Sequence, residues 1–181
     1  MRKLVAAVAL LAVAGGAFLV VHESSPPWYE RLRYPLRYEQ IVRAHARNYD
    51  IDPALLAAVI YQESKFDATA RSKSGAVGLM QLRPDTAKGI AIRTGGSAFR
   101  VEDLTNPEIN VRYGCWYLRH LFEKYGDEQI VLAAYNAGQG NVDRWRSESK
   151  EIQFAETRAY VKRVERLKEI YRDAWRSELY D

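Results

Sequence analysis

Cysteine occurs once in the 181 residues, at Cys115, which excludes an intrachain disulfide and a cysteine-built zinc site. Histidine occurs three times, at His22, His45 and His120, and no spacing among them suits a metal. Charge of one sign is also missing. The 27 Lys and Arg face 23 Asp and Glu, a formal net charge of +4, and two of the cations, Arg2 and Lys3, precede an apolar N-terminal run. That near-balance argues against a dedicated nucleic-acid binder. No segment alternates polar and apolar residues over strand length, so a sheet-based core is not expected. With 48% hydrophobic and 28% charged residues the chain is not disordered either. A helical domain without metal, cofactor or disulfide remains.

One long hydrophobic run is present. Leu4 to Val21 carries no charge, and as a helix it would reach about 27 Å, close to the hydrocarbon thickness of a bilayer. The small-x-small triplet Ala12-Val13-Ala14 lies inside the run, with Phe18 to Val21 still to follow. Residues 1–21 are therefore expected to be an uncleaved transmembrane anchor, with a cleaved signal as the alternative. Residues 22–33, which include Pro26-Pro27, are expected to be a linker. The domain proper is expected over 34–176.

Within it, helix signals dominate. Tyr38 to Tyr49 is amphipathic, with Ile41, Val42 and His45 on one side. Asp52-Pro53 and Asn106-Pro107 pair an N-cap residue with proline at the first helical position. The second of these helices should run to Tyr125, where Gly126 ends it. Arg83-Pro84-Asp85 is a weaker start, Asp127 caps a helix through Ala134, and one last helix is expected over about Glu156 to Tyr180. The class is all-α, with a small irregular piece between Ser72 and Leu82.

Glu63 stands out. Leu56, Val59, Ile60 and Glu63 occupy positions i, i+3, i+4 and i+7 of the Asp52-capped helix, which is its apolar face. A carboxylate there turns to water at a frayed end, pairs with Lys65 or Arg71, or is a buried acid whose raised pKa suits proton transfer. Two further segments have unusual composition. Gly75-Ala76-Val77-Gly78-Leu79-Met80-Gln81-Leu82 has two glycines that permit close backbone approach. Ala133-Ala134-Tyr135-Asn136-Ala137-Gly138 puts Tyr and Asn at a helix end. Either alone is also what a tight helix contact or a glycine C-cap looks like; together with Glu63 they fit a groove.

Glu63-Ser64, Gly78-Leu79-Met80-Gln81 and Ala134-Tyr135-Asn136-Ala137-Gly138 resemble, in order, the three signature motifs of the soluble lytic transglycosylases. Glu156-Thr157-Arg158-Ala159-Tyr160-Val161 resembles the fourth, and Tyr34-Pro35-Leu36-Arg37-Tyr38 the start of the domain. The resemblance implies a lysozyme-like α-helical fold, no cofactor and no metal. It implies cleavage of the β-1,4 bond between N-acetylmuramic acid and N-acetylglucosamine in peptidoglycan, with formation of 1,6-anhydromuramic ends. Glu63 would be the lone catalytic carboxylate, and Asp67, one turn on, would serve a loop turn or cap.

By the same resemblance Ser72 and Ser74 would hold Glu63 or the sugar, Met80 would line the glycan and Gln81 would bond to it. Tyr135 and Asn136 would orient the glutamate and the N-acetyl group, and Tyr160 would approach Glu63 from the last helix. Glu156 and Arg158 would pair structurally. The expected setting is the extracytoplasmic side of a cell membrane, with the domain a monomer acting on glycan strands. The alternatives are a hydrolytic muramidase and a non-catalytic wall-binding protein of the same fold.

Overall fold

The computed structural model describes residues 15, 26–96 and 98–181. The run expected as a membrane anchor lies, Gly15 apart, outside the described residues. Among those that are described, no helix is long and apolar enough to cross a membrane.

The chain divides into two compact units, Met1–Pro35 and Leu36–Asp181. In the first, the expected linker contains a helix, α1 (Pro27–Arg33). Proline in the first turn lacks only a donor that the helix leaves unused, so Pro27 begins this helix rather than blocking it.

The second unit carries the remaining helices: α2 (Glu39–Asn48), α3 (Pro53–Ser64), α4 (Pro84–Arg93), a 3-10 turn (Val101–Thr105), α5 (Pro107–Tyr125), α6 (Glu128–Ala137), α7 (Gln139–Ser147), α8 (Ala155–Ala174) and α9 (Arg176–Tyr180). There is no named strand among the described residues. Two isolated bridges, Arg71 with Val77 and Val77 with Leu82, tie together the irregular piece between α3 and α4.

Local chemistry sets the main helix starts. Asp52 Oδ1 accepts from Ala54 N at 2.9 Å, Asn106 Oδ1 from Glu108 N at 2.9 Å, and Asp127 Oδ1 from Ile130 N at 3.0 Å. Helix α3 is the centre of the unit, because every residue from Ala54 to Ile60 is buried. It is thus a core helix covered on all sides rather than one with a single apolar face. It packs chiefly on α8, on which Tyr160, Val161, Val164, Leu167 and Tyr171 are buried. A smaller core of Val77, Leu82, Ala87, Ile90 and Leu104 sits beneath the irregular piece.

Two boundaries differ from expectation. Residues 139–147 form a helix, since Val142 and Trp145 are buried and packing overrides the turn-like Gly138-Gln139-Gly140. The last helix breaks at Trp175, and the short α9 that follows brings the Tyr180 hydroxyl onto the Asp52 carboxylate, which also accepts from Arg172 Nη2 at 3.0 Å.

Candidate active site

Glu63 occupies the last turn of α3. Beyond it Lys65 and Phe66 both adopt positive φ, and Phe66 turns back into the core at 1% exposure. That reversal stops the helix while Glu63 is still enclosed. Its Oε1 accepts a hydrogen bond from Tyr160 Oη at 2.7 Å, across from α8. Burial pushes the carboxyl from an ordinary 4.5 up to about 7, and the Tyr160 bond opposes part of that rise. No other charged group takes a resolved part in that shift. Lys65 and Arg71 are exposed and make no ion pair with it.

The next residue holds the neighbouring loop. Ser64 Oγ donates to the Leu79 carbonyl at 2.8 Å, or to Ile60 O at 3.1 Å. Met80 N donates to Asn110 Oδ1 at 2.8 Å, and Met80 O accepts from Tyr135 Oη at 2.7 Å. Asn110 is fully buried and its amide nitrogen donates to Val77 O and Leu104 O at 2.9 and 2.8 Å. Gly78 sits here at φ +82°, and a Cβ on it would fall 2.2 Å from both Asn110 Nδ2 and Leu104 O. Only glycine meets both demands.

Several expected roles change in this light. Ser72 and Ser74 bond to each other, Oγ to Oγ at 2.9 Å, and Ser72 Oγ accepts from Ala76 N at 3.0 Å; they shape a turn instead of holding Glu63. The Met80 side chain is fully buried against Gly114, so it packs the loop from beneath rather than lining a glycan surface. Gln81, at φ +47°, directs its amide nitrogen to Ala70 O and Gly78 O at 3.1 and 2.9 Å, bracing the loop internally. Tyr135 reaches the loop backbone, and its ring lies 5.6 Å from that of Tyr117. Asn136 is exposed and accepts from Thr157 Oγ1 at 2.8 Å.

Arg158 does not pair with Glu156. Two residues apart on a helix, their side chains diverge, and Arg158 Nη1 instead donates to Ile152 O and Gln153 O at 2.6 and 2.9 Å. Asp67 is exposed, and its Oδ1 accepts from Thr69 N and Thr69 Oγ1, both at 2.8 Å, which holds its pKa below the ordinary value. It caps a turn.

Asn110 and Thr157 were not singled out in the sequence. Asn110 carries the same signal as Glu63, a polar side chain among buried neighbours Val111 and Gly114 on one helix. A cavity of about 520 Å³ lined by Ile130, Ala133, Trp145 and Val161 includes none of Glu63, Asn110 and Thr157. Among the described residues no cluster of three or more His, Cys, Asp or Glu could hold a metal.

Residues 40–157 match the family model described as the Transglycosylase SLT domain. The chain belongs to this family. It is 34% identical over 149 residues to a soluble lytic murein transglycosylase of Salmonella typhimurium, covering 73% of this chain and 22% of that protein. It is 37% identical over 123 residues to a membrane-bound lytic murein transglycosylase F of Aeromonas salmonicida, covering 64% and 23%. Among solved structures, the lytic transglycosylase Slt of Pseudomonas aeruginosa, determined as an inactive glutamate-to-glutamine mutant, superposes with a TM-score of 0.75 at 32% identity, over 81% of this chain and 26% of that one. The chain therefore spans about a quarter of the length of these relatives.

Proposed function

We propose that the domain is a lytic transglycosylase that cleaves the β-1,4 bond between N-acetylmuramic acid and N-acetylglucosamine in peptidoglycan and leaves 1,6-anhydromuramic ends. The observation that carries the reading is the Glu63 carboxyl, largely withdrawn from water, with a pKa raised to about 7 and a hydroxyl donor, Tyr160. A group poised near neutrality can give and then recover a proton. Glu63 protonates the glycosidic oxygen as the C1–O bond breaks. The resulting carboxylate takes the proton from the muramoyl 6-hydroxyl as that oxygen bonds to C1. The proton returns to Glu63 and no water is consumed.

Two-carboxylate hydrolysis needs a partner about 5–10 Å away across the scissile bond. Asp67, the nearest acid in sequence, is exposed and tied to Thr69, which favours the intramolecular route. Asn136, exposed and steadied by Thr157 of the helix that carries Tyr160, would meet a sugar N-acetyl group. Ser72, Ser74, Met80, Gln81 and Tyr135 serve by fixing the loop beside Glu63 in one conformation.

Residues 1–21 are proposed to anchor the protein in the membrane, or to be cleaved as a signal, with the domain a monomer on the cell-wall side. Product masses test the activity. Purified peptidoglycan digested by the protein should yield fragments lighter by one water than hydrolytic products. Reducing muramic ends instead would assign a hydrolase, and no fragments a binding protein. Fractionation with N-terminal sequencing of the mature chain separates anchor from cleaved signal.

A further inference from the structure

Of the six large hydrophobic side chains that stand exposed among the described residues, two share one short helix. Trp28 and Leu32 of α1 are 57% and 76% exposed, and at i and i+4 they occupy one face. The other four, Tyr38, Ile92, Phe154 and Tyr180, are scattered singly, which is ordinary for a protein surface. At about 100° per residue, Glu30 lies about 160° from both Trp28 and Leu32. It is the buried residue of α1, so the side of the helix away from the apolar pair is covered and its one acid faces that way. Arg31 and Arg33 flank the pair, and the Tyr29 ring meets Trp28 edge-on with centroids 6.0 Å apart. The exposed side of α1 thus offers an indole and an isobutyl group bordered by guanidinium groups, with no carboxylate among them.

This helix follows the apolar run closely. Only residues 22–26 separate Val21 from Pro27, and that length of chain reaches about 20 Å at most when fully extended. With the run in a bilayer, α1 therefore starts within that distance of the hydrocarbon edge. At such a level an indole ring sits among the headgroups, arginine meets lipid phosphates and leucine reaches the acyl chains. The contact is small, but the run holds it at a high local concentration, so α1 has no need to bind a membrane unaided.

We infer that α1 lies in the bilayer interface, with Trp28 and Leu32 inserted at the boundary between headgroups and acyl chains and the flanking arginines toward anionic headgroups. The inference rests on the membrane-anchored form proposed above. It favours lipid over a protein partner because the chain itself delivers this face to the membrane, and because the apolar pair is bordered by cations alone.

The test uses the full-length protein in vesicles of phosphatidylethanolamine and phosphatidylglycerol. A nitroxide is attached at Leu32→Cys or, as the aqueous control, at Lys88→Cys on the exposed side of α4. The native Cys115 is fully buried and stays unlabelled. The Leu32→Cys label should collide with oxygen more often than the control, and with a water-soluble nickel chelate roughly fivefold less often, as expected about 5–10 Å into the headgroup and acyl boundary. Adding Trp28→Glu should return the label to water while the protein stays with the vesicles, since the apolar run is untouched. A Leu32→Cys label as open to nickel as the control, in protein that pellets with the vesicles, overturns the interfacial helix. So does a label shielded from oxygen and nickel alike, which is the signature of a protein surface covering it, or a label that Trp28→Glu leaves in place. Protein that remains outside the vesicle fraction overturns the anchor on which the inference rests.

Discussion

The Tyr160 hydroxyl and the Glu63 carboxylate, 97 residues apart in sequence, meet at 2.7 Å and pull the acid's pKa in the direction opposite to burial. The bond favours the ionised form, which is the form that must take the proton back. Replacing Tyr160 with Phe should raise the Glu63 pKa above about 7 and move the alkaline limb of the pH–rate profile upward. A hydrogen bond to a charged group is worth about 1.5–3 kcal/mol, so kcat should fall by roughly tenfold to a hundredfold. A purely structural tyrosine would lower stability and leave the profile in place.

Glu63→Gln should keep the fold and reduce turnover by at least about 10²–10⁴-fold, since the amide cannot deliver a proton. It should also change how stability depends on pH. The carboxyl titrates at an ordinary 4.5 when unfolded and at about 7 when folded. Between those values the folded chain keeps a proton that the unfolded chain has released, so stability falls as pH rises through the window. Above it the wild type carries a penalty of about 3 kcal/mol that the glutamine variant escapes. Melting curves should therefore coincide below pH 4.5 and diverge toward pH 8, with Glu63→Gln the more stable.

Asn110→Ala strips partners from Met80 N, Val77 O and Leu104 O at once, in a place that water does not reach. The expected loss is about 2–4 kcal/mol in denaturant melts, with reduced activity although Asn110 contacts no substrate. A variant as stable as the wild type would mean that the loop finds other partners.

Asp67→Asn tests the single-acid mechanism. Thr69 can still donate to the amide oxygen at the position of Oδ1, so turnover and anhydro products should stay close to those of the wild type. A dead Asp67→Asn enzyme, together with hydrated product ends from the wild type, would point to two-carboxylate hydrolysis.

The parts of this fold that were legible in the sequence are those decided within one helical turn. Asp52-Pro53, Asn106-Pro107 and Asp127 start helices through their own side chains, and each does so in the structure. The start of α7 and the break at Trp175 were not legible, because burial of Val142 and Trp145 and the reach of Tyr180 to Asp52 are decided by distant chain. Glu63 could be read as an anomaly, a charge in apolar surroundings. Its partner could be named only by resemblance, since Tyr160 sits on an ordinary apolar stripe. Met80 and Gln81 were expected to face the sugar, and Tyr135 to orient the glutamate or the N-acetyl group. Their partners are backbone atoms and a glycine at tertiary distance, which no local pattern encodes.

The peptide units around Met80 have one more consequence. Leu79 O, Met80 N and Met80 O are each secured by a side chain of a different helix, Ser64 of α3, Asn110 of α5 and Tyr135 of α6. A stretch without repeating structure is thus cross-braced into three helices through two successive peptide units. In hydrogen–deuterium exchange the Met80 amide should behave like the interior of a helix and not like a loop, because its bond opens only when α5 parts from that segment. Its protection should report the global unfolding free energy, so the wall beside Glu63 stays shut to solvent on the timescale of catalysis and opens on that of unfolding.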